Sequence, residues 1–445
     1  MAAAARTARG LPRAASRGAP PAAFAASRPE AFPLCVSAAS PGERPRALPS
    51  LVWALGLVSL CMDVSSELVH ALLPAFMTGV LGAGALAVGV VEGIAEATAS
   101  IVKPFSGAIS DRIGRRKPLL LAGYGLAALT KPLFPLANSV ATVLGARFLD
   151  RIGKGVRGAP RDALIADVTP GALRGAAYGL RQSLDTLGAV FGPLAATLLM
   201  LALANDMRSV LWFASAPAAA AVLLVLFAVR EPARAAAPPA PPRERVTFRE
   251  MAHLGVALWS VVLLGGVLTL ARFSEAFLIL RAQDLGLPLE LLPLVLILMN
   301  VAYAASSYPA GHFADRGGRG ALLALGLGAL IAADLALAAA NSLGALFAGV
   351  ALWGLHMGLT QGLLSKLVAD ASPAQLRGTA FGVFHLVSGI ALLAASVIAG
   401  ALWSAFGARA TFLAGALFAT VALAGLARTS RHRNEPPRSG ASTLA

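Results

Sequence analysis

Charged side chains stand inside long apolar runs of this sequence, at spacings that place them on shared helix faces. Asp63 and Glu67 are four residues apart, and so are Glu92 and Glu96. Residues i and i+4 are neighbours on a helix. Two carboxylates so placed repel, so either one holds a proton or a cation sits between them. A carboxyl able to take up and release a proton is what a proton-coupled carrier needs. The other possibility is permanent neutralisation by the basic face of Arg147, Arg151 and Lys154, spaced i, i+4, i+7 around Asp150. Arg181 with Asp185 and Arg272 with Glu275 can cancel within their own helices. Each charge at hydrocarbon depth costs at least about 2.5–3.5 kcal/mol, so all of these are expected to face a protein interior and find partners. The histidines and the two cysteines, Cys35 and Cys61, are scattered, so no metal site is expected. No glycine-rich phosphate loop ending in Lys-Ser/Thr occurs, so neither a nucleotide nor any other cofactor is expected.

The elements that must hold these residues follow from composition. Of 445 residues, 57% are hydrophobic and 13% charged. Soluble chains carry about 25% charge, so the main solvent here is lipid. A span needs about 20 apolar residues. Twelve can be read: 51–79, 84–109, 118–136, 139–160, 172–200, 208–229, 250–280, 288–312, 320–339, 342–368, 376–403 and 408–427. The expected class is an all-α, multi-pass integral membrane protein. Residues 1–48 form a basic Ala/Arg/Pro/Ser-rich tail without an apolar run, so a secretory signal is excluded; a transit peptide or a disordered tail fits. A proline-rich linker, 231–249, divides two six-span halves, 49–230 and 250–428, and 429–445 is a polar tail. The net charge is +15. Arginine and lysine concentrate in every second break, near 112–117, 161–174, 230–249, 316–319 and 377. Basic loops lie on the cytoplasmic side, which puts both termini there and makes nucleic acid an unneeded partner.

The halves repeat each other. Gly107-Ala-Ile-Ser-Asp111-Arg112-Ile-Gly114-Arg115 matches Gly311-His-Phe-Ala-Asp315-Arg316-Gly-Gly318-Arg319 at an offset of 204. Leu164-Ile-Ala-Asp167-Val-Thr-Pro170 matches Leu367-Val-Ala-Asp370-Ala-Ser-Pro373 at an offset of 203. Six spans per repeat give parallel repeats, which place a substrate site between the halves near mid-membrane and suit alternating access.

These residues resemble the major facilitator superfamily. The 107–116 loop is similar to that family's signature between spans 2 and 3, with its weaker copy between spans 8 and 9. Arg147-x-x-Asp150-Arg151-x-Gly153 is similar to the family's buried Arg-x-x-Gln-Gly-x-Gly, with Asp150 and Arg151 in place of Gln and Gly. Gly188-x-x-x-Gly192-Pro193 resembles the exporter branch's span 5 motif, although Ala196 and Thr197 replace a following glycine pair. The stretch Asp150-Arg-Ile-Gly-Lys-Gly-Val-Arg-Gly-Ala-Pro-Arg-Asp162 looks like a prokaryotic branch of the superfamily. The resemblance implies twelve helices in two pseudo-symmetric halves and transport of a small solute across a bacterial inner membrane. It implies that Asp111, with Arg112 and Arg115, latches one state closed. Proton-coupled export by antiport is expected, with proton-coupled import by symport or a non-transporting sensor as alternatives. A membrane enzyme would need a catalytic cluster, and none is seen.

Overall fold

The computed structural model describes residues 47–231, 255–315, 319–372 and 377–434. The tail expected over 1–48 lies outside them up to residue 46. The linker expected over 231–249 lies outside from 232, and the polar tail from 435. Every regular element among the described residues is helical. Span 1 is Ser50–Ala75, prolonged by the π-helical turn Phe76–Val80. Span 2 is Ala85–Ile113 and span 3 is Lys117–Thr130, followed by the turn Lys131–Leu133. Spans 4 and 5 are Val140–Val168 and Arg174–Ala202. Span 6 is Met207–Phe213 continued by Ser215–Phe227. Span 7 comprises Val256–Leu270 and Ala276–Asp284. Spans 8 to 12 are Leu294–Asp315, Arg319–Ala339, Leu343–Asp370, Arg377–Phe406 and Ala408–Asn434.

Among the described residues nine helices are long and apolar enough to cross a bilayer. The other three spans fall short for local reasons. Span 3 is short, span 4 carries a stripe of charges, and span 7 is broken.

Helix pairing shows the repeat. Spans 1 and 5, 2 and 4, 3 and 4, 3 and 6, and 1 and 6 pack together, and six spans later so do 7 and 11, 8 and 10, 9 and 10, 9 and 12, and 7 and 12. The caps repeat as well. The Ser139 hydroxyl accepts from the Thr142 N–H at 3.3 Å to start span 4, and the Ser342 hydroxyl accepts from the Ala345 N–H at 3.4 Å to start span 10. Both serines have extended backbone, which frees the hydroxyl to satisfy an orphan N–H of the first turn.

The halves meet through spans 2 and 11 and spans 5 and 8. At the end of the bundle away from the start of span 1, here the far end, more contacts join them. Span 1 packs on Ala276–Asp284 of span 7. Thr78 Oγ1 donates to Gln283 Oε1 at 3.2 Å, and the Leu86 N–H donates to Ser404 Oγ at 3.2 Å.

Two elements depart from expectation. Span 4 runs on to Val168, so Arg161 and Asp162 lie within a helix and not in a loop. Span 7 is interrupted between Leu270 and Ala276. The freed Ser274 N–H donates to Ser396 Oγ of span 11 at 3.2 Å, while Ser274 Oγ accepts from the Ala276 N–H at 3.3 Å. Aromatic rings close around the break: Phe273 lies 5.2 Å from Trp353, 5.4 Å from Phe277 and 5.5 Å from Phe412, centroid to centroid. Non-helical backbone at this depth is tolerated because it is buried in protein and its polar groups find side-chain partners.

Candidate functional site

The charged residues of spans 1 to 5 converge in successive layers. In the first, Arg147 holds Glu92 with two parallel bonds, Nε to Oε1 at 3.1 Å and Nη2 to Oε2 at 2.8 Å. Both side chains are essentially removed from solvent. His70 lies beside them, its Nε2 3.9 Å from Glu92 Oε2 and its Nδ1 3.7 Å from Glu67 Oε2. In the second layer Arg151 Nη1 meets Glu96 Oε1 at 3.2 Å. Lys131 Nζ donates to Asp150 Oδ1 at 2.8 Å and to Ser66 Oγ at 3.1 Å. In the third, Arg181 bridges Asp162 and Asp185, both at 2.8 Å, and Arg161 bridges the same two acids at 3.2 and 3.7 Å.

This geometry decides between two expectations for Glu92 and Glu96. Each acid has its own guanidinium, so neither a shared cation nor a held proton is needed. Spans 2 and 4 start at residues 85 and 140, and Glu92 and Arg147 both stand seven residues in, Glu96 and Arg151 both eleven. Two equal i, i+4 spacings on side-by-side helices therefore match pair to pair. Arg181–Asp185 forms within its helix as expected, with span 4 added to it. Arg272 and Glu275 are corrected: the break in span 7 removes the turn that an i, i+3 pair needs, and no ion pair joins them among the described residues. Asp63 also makes no ion pair within 4 Å among the described residues.

A cavity of about 420 Å³ opens beside the third layer. Its wall in the first half includes Asp63 and Glu67 of span 1, Glu96 and Lys103 of span 2, Lys154, Arg157 and Arg161 of span 4, and Arg181 and Asp185 of span 5. The second half gives Asn300 and Tyr303 from span 8 and His385 from span 11. The volume falls in the range of small-molecule sites. The cavity lies toward the terminal end of the bundle, where Lys154 and Gln182 on its wall are exposed. Span 5 closes tightly on span 1 at Gly188 and Gly192. A Cβ at 188 would stand 2.7 Å from Asp63 Cβ, and one at 192 would stand 2.8 Å from Glu67 Cβ. These glycines thus set how closely span 5 approaches the acid-bearing face. Pro193 follows inside the same helix.

The signature loop is fixed at its ends. Gly114 terminates span 2 in the left-handed region, at φ 69°, with its N–H on Ser110 O at 3.1 Å. Gly107 packs near Ala159 of span 4. Arg112 and Arg115 are exposed, whereas the next residue, Arg116, is buried, with Nη1 on Ser110 Oγ at 2.6 Å and Nε on Asp167 Oδ2 at 3.5 Å. Glu231 accepts from the Arg116 and Lys117 N–H groups at 2.6 and 3.2 Å, capping span 3. The Asp111 side chain lies outside the described residues, as do those of Asp315 and Arg319 and the whole of Arg316. Nothing lies near a Cβ built at Gly311.

Sequence reading passed over Lys131, and it gave Arg157 and Asp162 no role beyond the motif that contains them. Arg157 and Arg161 continue the spacing of Arg147, Arg151 and Lys154, and that periodicity is the signal for them; Lys131 carries no comparable signal. In the second half, Asp334 of span 9 is fully buried with neither carboxyl oxygen hydrogen-bonded among the described residues.

A family model described as the Major Facilitator Superfamily matches residues 55–299 and 270–444. The chain belongs to the Major Facilitator Superfamily. Within that superfamily it is 33% identical over 386 residues to an uncharacterized MFS-type transporter of Methanocaldococcus jannaschii, covering 85% of this chain and 94% of the relative. It is 26% identical to the inner membrane transport protein YajR of Escherichia coli, over 89% of this chain and 85% of that one. Among solved structures, a bacterial homolog of the human lysosomal transporter Spinster, inward-facing and occupied, superposes with a TM-score of 0.70 at 16% identity, over 89% of this chain and all of the other. The superfamily fold, its twelve helices and its multi-pass membrane placement are therefore those of this chain. The relatives named here are described as transporters.

Proposed function

We propose that this protein is a secondary active transporter that moves a small solute by alternating access and is coupled to protons through Asp63. The observation that carries the reading is the charged cavity between the two halves, which lies toward the terminal end while contacts of span 1 with span 7 join the halves at the far end. With both termini in the cytoplasm, as the basic loops suggest, this is an inward-open state of an inner-membrane carrier. Asp63 is, among the described residues, the acid on the cavity wall with neither a cation nor an imidazole within 4 Å, so it is the group assigned to load and unload a proton. Glu92, Glu96, Asp150 and Asp185 are instead held by Arg147, Arg151, Lys131 and Arg181 and serve as structural pairs. Asp111, Arg112 and Arg115, with Asp315, Arg316 and Arg319 in the copy, are the family's latch positions and are proposed to act so here.

Export in exchange for protons is the direction that Gly188, Gly192 and Pro193 support, since they resemble the span 5 motif of the exporter branch. Co-transport with a proton is a second reading, favoured by the unpaired Lys154 and Arg157 on the same cavity wall as Asp63: a proton taken up there leaves the cavity more positive, so an anion would bind with it.

The test is flux in vesicles of known orientation, using a solute found by its thermal stabilisation of the purified protein. A pH gradient should drive the solute against proton flow for antiport and with it for symport. Asp63→Asn should keep solute-for-solute exchange but abolish the response to the gradient. Uptake indifferent to the gradient in the parent protein would sink proton coupling.

A further inference from the structure

The cavity has a charge imbalance that points to the class of cargo. Most of its charges are already spent. Glu96 is on Arg151, and Arg161 and Arg181 share Asp162 and Asp185. What remains among the described residues is a surplus of cations. Lys103 and Lys154 make no ion pair and no side-chain hydrogen bond. Arg157 is 4% exposed; it stacks on the Tyr124 ring with its guanidinium carbon 4.8 Å from the centroid, and its Nη1 has no hydrogen-bond partner. Against these three cations stand two carboxylates, Asp63 and Glu67, the latter beside the His70 imidazole at 3.7 Å. Among the described residues the second half contributes no carboxylate to the wall; Tyr303 and His385 offer hydrogen-bonding groups, as does the amide oxygen of Asn300, whose Nδ2 donates to Ala189 O at 3.2 Å.

A buried guanidinium nitrogen without a partner is costly, and a cationic concavity with low-dielectric walls concentrates anions. We propose that the cavity takes a small organic anion, its carboxylate or phosphate held by Lys103, Lys154 and Arg157 and its uncharged body against Asn300 and Tyr303. Arginine and lysine together suit this task, the fork of Arg157 fixing geometry and the two ammonium groups supplying charge. This deepens the transport reading and rests on it.

The sign of the cavity can be measured without knowing the cargo. Ser100 lines the cavity one helical turn before Lys103. In full-length protein with Cys35 and Cys61 replaced by serine, Ser100→Cys is labelled with two methanethiosulfonates of similar size, one carrying a sulfonate and one a trimethylammonium group. Each rate is divided by the rate of the same reagent with 2-mercaptoethanol, which removes intrinsic reactivity. The reactivity of the thiolate itself cancels in the ratio. The sulfonate should be favoured at least tenfold, and Lys103→Gln with Lys154→Gln should bring the ratio down near one. A ratio of one or below in the parent overturns the assignment of an anionic cargo. Thr186→Cys, on the span 5 wall, is the second position should Ser100→Cys fail to fold. If neither thiol reacts in folded protein while both react in denaturant, it is the cavity that is wrong, and the transport reading falls with it.

Discussion

At the residue scale, the membrane-depth charges divide into spent and unspent groups, and the two should answer differently to substitution. Arg147 and Glu92 are wholly buried and joined by two bonds. Removing one member leaves an uncompensated charge, which costs about 3–5 kcal/mol. Arg147→Met and Glu92→Gln should each lower the melting temperature of the purified protein sharply. The double variant Arg147→Met with Glu92→Met should recover most of the loss, because it removes both charges together. A double variant as unstable as the sum of the singles would show that the pair is not what holds spans 2 and 4. Lys103→Gln and Lys154→Gln, by contrast, remove charges that nothing compensates and should leave the melting temperature unchanged or higher.

At the element scale, the contact of span 5 with span 1 is the tightest constraint on the acid-bearing face. A Cβ at Gly192 would stand 2.8 Å from both Glu67 Cβ and Val64 O and 2.9 Å from Leu68 N, so the helices must part. Overpacking of this kind costs about 1–3 kcal/mol. Gly192→Ala should destabilise by that amount, measured by thermal melting, while Gly179→Ala on the same helix meets nothing within 4 Å and should cost nothing or gain slightly. Equal effects would mean that the close approach carries no weight. The existence of these helices was legible because twelve apolar runs alternate with short polar breaks, and their repeat was legible from the two motif offsets. Two boundaries were not. The end of span 4 was hidden because Arg161 and Asp162 look like a loop; charge marks a loop only where it faces water outside the bundle, and here it faces a cavity inside. The break in span 7 was hidden because Ala271 to Glu275 contains neither glycine nor proline; tertiary partners, Ser396 and the aromatic rings, hold that backbone open. The matching of Glu92 and Glu96 to Arg147 and Arg151 was half legible, since the equal spacings were visible but the register of the two helices was not. Lys131–Asp150 was invisible, because the lysine is a lone charge inside the run read as 118–136, with no acid at helical spacing to mark its partner.

At the scale of the whole molecule, the asymmetry between the two ends of the bundle is the property that alternating access must reverse. The far end is held by contacts of span 1 with span 7, including the bond from Thr78 to Gln283 at 3.2 Å. The cavity lies toward the opposite end, and no comparable set of side-chain bonds joins the halves there among the described residues. For a solute to leave by the far end, spans 1 and 7 must separate while spans 2 and 11 and spans 5 and 8 keep the halves together. A covalent tie across the first pair should therefore stop transport without emptying the cavity. With Cys35 and Cys61 replaced by serine, Thr78→Cys and Gln283→Cys can be joined by a short, reducible bifunctional thiol reagent. Solute flux in proteoliposomes should cease on cross-linking and return on reduction, while binding of the same solute to the cross-linked protein stays within a few-fold of the parent. Continued flux with the bridge intact would show that the far end opens elsewhere. Loss of binding along with flux would show that the tie distorts the cavity, and that the two ends are not independent in the way a rocking of rigid halves about a fixed site requires.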